Sequence, residues 1–150
     1  MSRILLAAFA LISAAVPVFA GKAVTYEKDI KGIIARQCIL CHDAKSPTMD
    51  EFARDKAGFT NKMKGPRLDT YENLMVMVKG SDAGALTRRL DDGKNTSDGK
   101  HGNMYLFLGI TDAERAANLE IFKKWIGNWT LKKRKELSKK ELEGIRALEK

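Results

Sequence analysis

The chain has 150 residues, 44% of them hydrophobic, with 27 basic and 19 acidic side chains and a formal charge of +8. That is the size of one ordinary domain with or without an extension, and the apolar content suffices for a buried core. Two cysteines exclude a disulfide-dense scaffold, and the composition excludes a collagen-like or low-complexity chain.

The first 20 residues differ from the rest. Arg3 supplies a positive start, Ile4 to Phe19 is nearly unbroken apolar sequence, and Val18-Phe19-Ala20 ends it with the small residues that a signal peptidase reads. A transmembrane anchor is the competing reading for such a run. Pro17 and the cleavage-like end favour removal, which leaves no transmembrane anchor and places the protein in the periplasm or outside the cell. The expected division is residues 1–20 as signal peptide, 21–130 as one helical domain, and 131–150 as a charged C-terminal helical extension.

Apolar residues at 26, 30, 33 and 34 repeat at helical spacing, with Thr25 as N-cap. This helix runs directly into Cys38-Ile39-Leu40-Cys41-His42. Residues 43–68 read as a long polar segment with a short helix around Met49 to Ala57 and a turn at Gly65-Pro66. Asp69 or Thr70 caps a helix over Tyr71 to Val78, and Ser81 caps another reaching about Leu90. Asp91 to Asn103 is a loop with Gly93, Gly99 and Gly102. Thr111-Asp112-Ala113-Glu114 has the form of a capping box. Ala117, Ile121, Phe122, Trp125, Ile126 and Trp129 then form a broad apolar stripe. A second capping box, Ser138 with Glu141, opens a terminal helix with Leu142, Ile145 and Leu148 on one face. No strand pattern and no internal repeat is present, so the fold class is mostly α.

Cys38-x-x-Cys41-His42 marks covalent attachment of a c-type haem. Residues three apart share a helical face, so both sulfurs can address one edge of a porphyrin as thioethers. His42 stands beside them as proximal iron ligand, with a neutral imidazole and its second nitrogen held by a carbonyl or water. A zinc site needs four protein ligands, and only His101 or a carboxylate remains to complete one. A thioredoxin-like dithiol needs a strand–helix context that the sequence lacks.

These features together resemble a class I, single-haem c-type cytochrome domain of bacteria: the helix ahead of Cys38-x-x-Cys41-His42, the internal helix Tyr71 to Val78, and the final helix with Trp125-Ile126. The stretch Arg67-Leu68-Asp69-Thr70-Tyr71-Glu72-Asn73-Leu74-Met75 is similar to a segment of such domains. The resemblance covers about residues 24 to 129 and implies a helical fold around one haem c. The early position of the haem motif argues against class II order. The resemblance also implies a distal methionine from the loop before the last helix, and Met104 occupies that place. His101 is the rival, which would give a bis-His haem of lower potential. Arg67 is a candidate partner for a haem propionate, and Leu40, Leu68, Leu74 and Leu106 are candidate walls.

The function this implies is one-electron transfer by an exported protein, with no catalytic residue. The alternative is a haem enzyme subunit, or a gas-binding or sensor protein with a displaceable distal ligand. Lysines 123, 124, 132, 133, 135, 139 and 140 suggest an acidic redox partner. Export argues against nucleic acid.

Overall fold

The computed structural model describes residues 22–150, and the leader expected over 1–20 lies outside the described residues. A wide helical turn over Tyr26–Ile30 leads into α1 (Lys31–Gln37), and α2 (Ile39–His42) carries the end of the haem motif. Then come α3 (Met49–Arg54), α4 (Lys56–Asn61), α5 (Tyr71–Val78) and α6 (Ala85–Leu90). A 3-10 turn at Tyr105–Leu108 precedes α7 (Asp112–Ile126), and α8 (Lys139–Glu143) follows a second 3-10 turn at Arg134–Glu136. There is no strand among the described residues.

Short polar side chains start these helices where the sequence places them. Thr25 accepts from Lys28 N, Thr70 from Asn73 N, and Ser138 from Glu141 N in a full capping box. Thr111 accepts from Glu114 N at 3.1 Å, but the Glu114 carboxylate bypasses Thr111. It accepts from Ile110 N at 2.8 Å and from the Gln37 amide at 3.0 Å, tying the end of α1 to the start of α7.

Several expected boundaries change. The single helix around Met49 to Ala57 is two, broken at Asp55, whose carboxylate caps α4 by accepting from Gly58 N. Phe52 and Phe59 stack at 6.2 Å and hold the pair together. Ser81 does not cap α6: that helix starts from Gly84, which sits at φ +79° against the Lys132 carbonyl. On α7 the buried face is Asn118, Leu119, Phe122, Trp125 and Ile126, whereas Ala117 is exposed.

The core gathers Ile30, Ile33 and Ile34 of the first helical segment, Leu74, Met77 and Val78 of α5, Leu86 and Leu90 of α6, Leu108, and the buried face of α7. Its aromatic centre brings the first helical segment, α5 and α7 together. Tyr26 lies 6.5 Å from Trp125, Phe122 lies 6.4 Å from Trp125, and Tyr26 lies 5.4 Å from Tyr71. The segment after 130 is helical only in its two short pieces. Past Gly144 it runs as an irregular strap, with Ile145 and Ala147 buried and Leu148 partly exposed. The expected helical face of Leu142, Ile145 and Leu148 is therefore not formed.

Candidate functional site

The first helical segment delivers the haem motif. Its last turn bonds Cys38 N to Ile34 O, and the motif then winds on itself, with Cys41 N and His42 N both donating to Cys38 O at 3.2 and 3.1 Å. One helical turn thus places Cys38, Cys41 and His42 together. Both thiols are free. Burial pushes the Cys38 thiol up to about 11.

His42 is held by a segment that the sequence reading treated as polar connection. Its Nδ1 lies 2.5 Å from Pro66 O. A carbonyl only accepts, so Nδ1 carries the hydrogen and the Nε2 lone pair of the neutral ring is left free. Burial lowers the pKa of His42; the Lys64 charge acts in the same direction, and the Pro66 bond opposes it. The ring is therefore neutral at neutral pH, as an iron ligand must be.

Backbone bonds fix Pro66 in that position. Gly65 N donates to Cys41 O at 2.9 Å, Arg67 N to Pro47 O at 2.8 Å, and Leu68 N to His42 O at 2.9 Å. Lys64 pairs with Asp43 at 3.0 Å, and Ser46 Oγ donates to the Asp43 carboxylate at 2.8 Å. Gly65 is required by close approach, because a Cβ there would lie 2.1 Å from His42 Cε1. The sequence signal was the Gly-Pro pair itself, read as a turn without its partner.

Met104 is partly buried against the core cluster, as is Cys38. Its N–H donates to Arg89 O at 2.9 Å, and the 3-10 turn that follows it packs on α1. His101 is exposed; its Nδ1 lies 2.9 Å from Gly102 O, and its ring is 5.6 Å from Tyr105. Of the two distal candidates, only Met104 faces the interior.

The surroundings fit a flat apolar macrocycle bearing carboxylates. Leu40 is 83% exposed within the motif, and Leu106, Phe107 and Ile110 are exposed just after Met104. Both segments therefore present apolar surface that a shared apolar group would cover. Arg67 Nε is buried without an acceptor beside the His42 segment, which suits an anionic substituent. Among the described residues no three His, Cys, Asp or Glu side chains converge as a zinc site requires. Of the candidate walls, Leu68 and Leu74 are buried in the core and Leu106 is half exposed.

A family model described as PccH cytochrome c matches residues 25–148. The solved structure of monoheme cytochrome PccH from Geobacter sulfurreducens is similar, at 46% identity and a TM-score of 0.79. The match covers 84% of this chain and 98% of that one. No curated protein matches.

Proposed function

Because the chain belongs to the PccH cytochrome c family, and its role is accordingly haem-based electron transfer, we propose that it is an exported carrier of single electrons in which His42 and Met104 would ligate the haem iron. The observation that carries the ligand reading is the His42 Nδ1–H bond to Pro66 O, which fixes the tautomer and leaves Nε2 to bind.

When bound, haem c supplies a ferric/ferrous couple that accepts and releases one electron. The residues of this chain do the rest. Cys38 and Cys41 would hold the group by two thioether bonds from one helical turn. His42 would bind through the nitrogen of a ring that Pro66 orients and Gly65 closely approaches. Met104 offers a soft thioether, which would favour the reduced state and raise the potential relative to a second histidine. With Met104 as distal ligand, the iron would have no open position for a substrate, which supports a carrier over an enzyme.

The apolar leader Ile4 to Phe19 supports export, and among the described residues no helix is long and apolar enough to cross a membrane. Lys133, Lys135, Lys139 and Lys140 are exposed, and they fit an acidic face on the redox partner. Nucleic acid is not a partner in this reading.

The test is a set of visible spectra of the oxidised and reduced haem-loaded protein, with Met104→Ala alongside. A weak near-infrared charge-transfer band in the ferric wild type, lost in the variant, is the expected result. Ready binding of carbon monoxide by the ferrous wild type would overturn the closed-carrier reading in favour of a gas-binding or catalytic haem.

A further inference from the structure

Asp91 is fully buried, at 0% exposure, and lies outside the haem motif. Its carboxylate is satisfied from three directions. Oδ1 accepts from Gly93 N at 2.9 Å and Asn95 N at 3.4 Å, and Oδ2 accepts from Asn95 Nδ2 at 2.7 Å and from the Trp129 indole at 3.0 Å. Trp129 comes from beyond the end of α7, so this one carboxylate joins the exit of α6 to the exit of α7. The Lys123 ammonium sits 5.9 Å from the centre of the Trp129 ring and 3.9 Å from Asp92, which closes the cluster on its outer side.

The same segment holds the backbone of the Met104 loop. Gly102 N donates to Asp91 O at 2.8 Å, and Met104 N donates to Arg89 O at 2.9 Å. The Arg89 side chain adds a bond to Asn103 Oδ1 at 3.0 Å. Gly102 lies so close to α6 that a Cβ would stand 2.3 Å from Arg89 O and 2.4 Å from Arg88 O. The loop therefore has no slack at residue 102. Any shift of residues 89–91 is transmitted to Met104 two residues later.

We propose that Asp91 and Trp129 are positioning residues for the distal ligand, their hydrogen bond setting how firmly the Met104 thioether stays in place over the haem. This inference rests on Met104 being that ligand. The geometry gives it content beyond stability. The bond secures the loop's anchor rather than the aromatic core, so weakening it frees Met104 before it loosens the fold. Among the described residues the indole N–H is the only donor to the Asp91 carboxylate from outside residues 91–95, so it is the link whose loss frees the loop anchor from α7.

The test uses haem-loaded protein. Trp129→Phe keeps an aromatic ring and removes the indole donor together with part of the ring's bulk. Tyr71→Phe is the control: it removes one neutral side-chain-to-backbone bond, Tyr71 OH to Ala147 O at 2.9 Å, at the other end of the core. Imidazole enters a closed ferric haem only when the methionine has left, so its binding reads the open fraction directly. Trp129→Phe is expected to raise the observed imidazole association by about tenfold and to weaken the near-infrared band, the scale of one buried charge-assisted bond. Tyr71→Phe is expected to leave both at the wild-type level while lowering the melting temperature.

Equal imidazole association in Trp129→Phe and wild type, or an equal rise in Tyr71→Phe, overturns the proposal. If Trp129→Phe does not fold, Asp91→Asn is judged by the same readouts, since its amide turns a donor toward the indole N–H or toward the Gly93 and Asn95 amides. A wild type without the band, unchanged by Met104→Ala, overturns the ligand assignment and this inference with it. A band lost in Met104→Ala but unaffected by Trp129→Phe overturns the positioning role alone.

Discussion

The C-terminal strap and the haem-attachment segment solve opposite problems. Residues 145–149 satisfy the unpaired backbone groups of two helix ends at once. Leu148 O and Glu149 O accept from Tyr26 N and Glu27 N at 2.8 and 3.0 Å at the start of the first helix. Arg146 N and Ala147 N donate to Ile126 O and Trp125 O, both at 2.9 Å, at the end of α7. The Trp125 indole and the Tyr71 hydroxyl add bonds to Leu148 O and Ala147 O. This end of the molecule is completed by the chain alone. In the attachment segment the backbone is equally well bonded, but the side chains are not: Leu40 is exposed and Arg67 Nε lacks an acceptor. Closed backbone with unfinished side chains is the signature of a surface shaped for another molecule.

That contrast is broken most severely by deleting residues 145–150. The deletion removes buried Ile145 and Ala147 and uncovers Trp125, so a loss on the order of 5 kcal/mol is expected, comparable with the whole stability of a small domain. A melt of the haem-loaded protein checks it; an unchanged transition would mean that the strap is decoration.

Gly65→Ala attacks the other region. Its Cβ would overlap the His42 ring, so either the ring turns or the Pro66 segment moves, at about 1–3 kcal/mol. The expected outcome is a loosened proximal ligand, read as a changed haem spectrum and a lower reduction potential, with the strap end intact by hydrogen exchange.

The smallest effect is a pH dependence within α8. The Lys132 ammonium, followed by the Ser138 N–H and hydroxyl, holds the Glu141 carboxyl at about 2. A carboxyl depressed in the folded state stabilises the fold fully above its ordinary value near 4.5 and loses that contribution as pH falls toward 2. Glu141→Gln is expected to flatten the melting temperature over that window by a small amount, since the pair is solvent-screened.

Local physics made much of this legible. Thr25, Thr70, Thr111 and Ser138 cap where the sequence places them because a short side chain reaches a backbone amide two or three residues on. The haem motif was equally plain, since its three residues need only one turn. What the sequence hid depends on partners far along the chain. Residues 145–149 have helical spacing, yet their backbone bonds go to residues 26, 27, 125 and 126 instead. The Pro66 carbonyl carries no side-chain signal at all, and its role appears only when residue 66 lies against residue 42. Asp91 looked like one more loop aspartate until Trp129, 38 positions later, proved to be its partner.

The proposed covalent attachment of haem c to Cys38 and Cys41, with His42 on the iron, is open to direct measurement. It is tested most directly by denaturing the purified protein, extracting with acidified organic solvent, and recording the haem absorbance left on the polypeptide, with Cys38→Ala/Cys41→Ala as reference. One haem per chain retained by the wild type, and none by the double variant, is the predicted result. Haem extracted completely from the wild type, or none incorporated at all, would rule out covalent attachment through these cysteines.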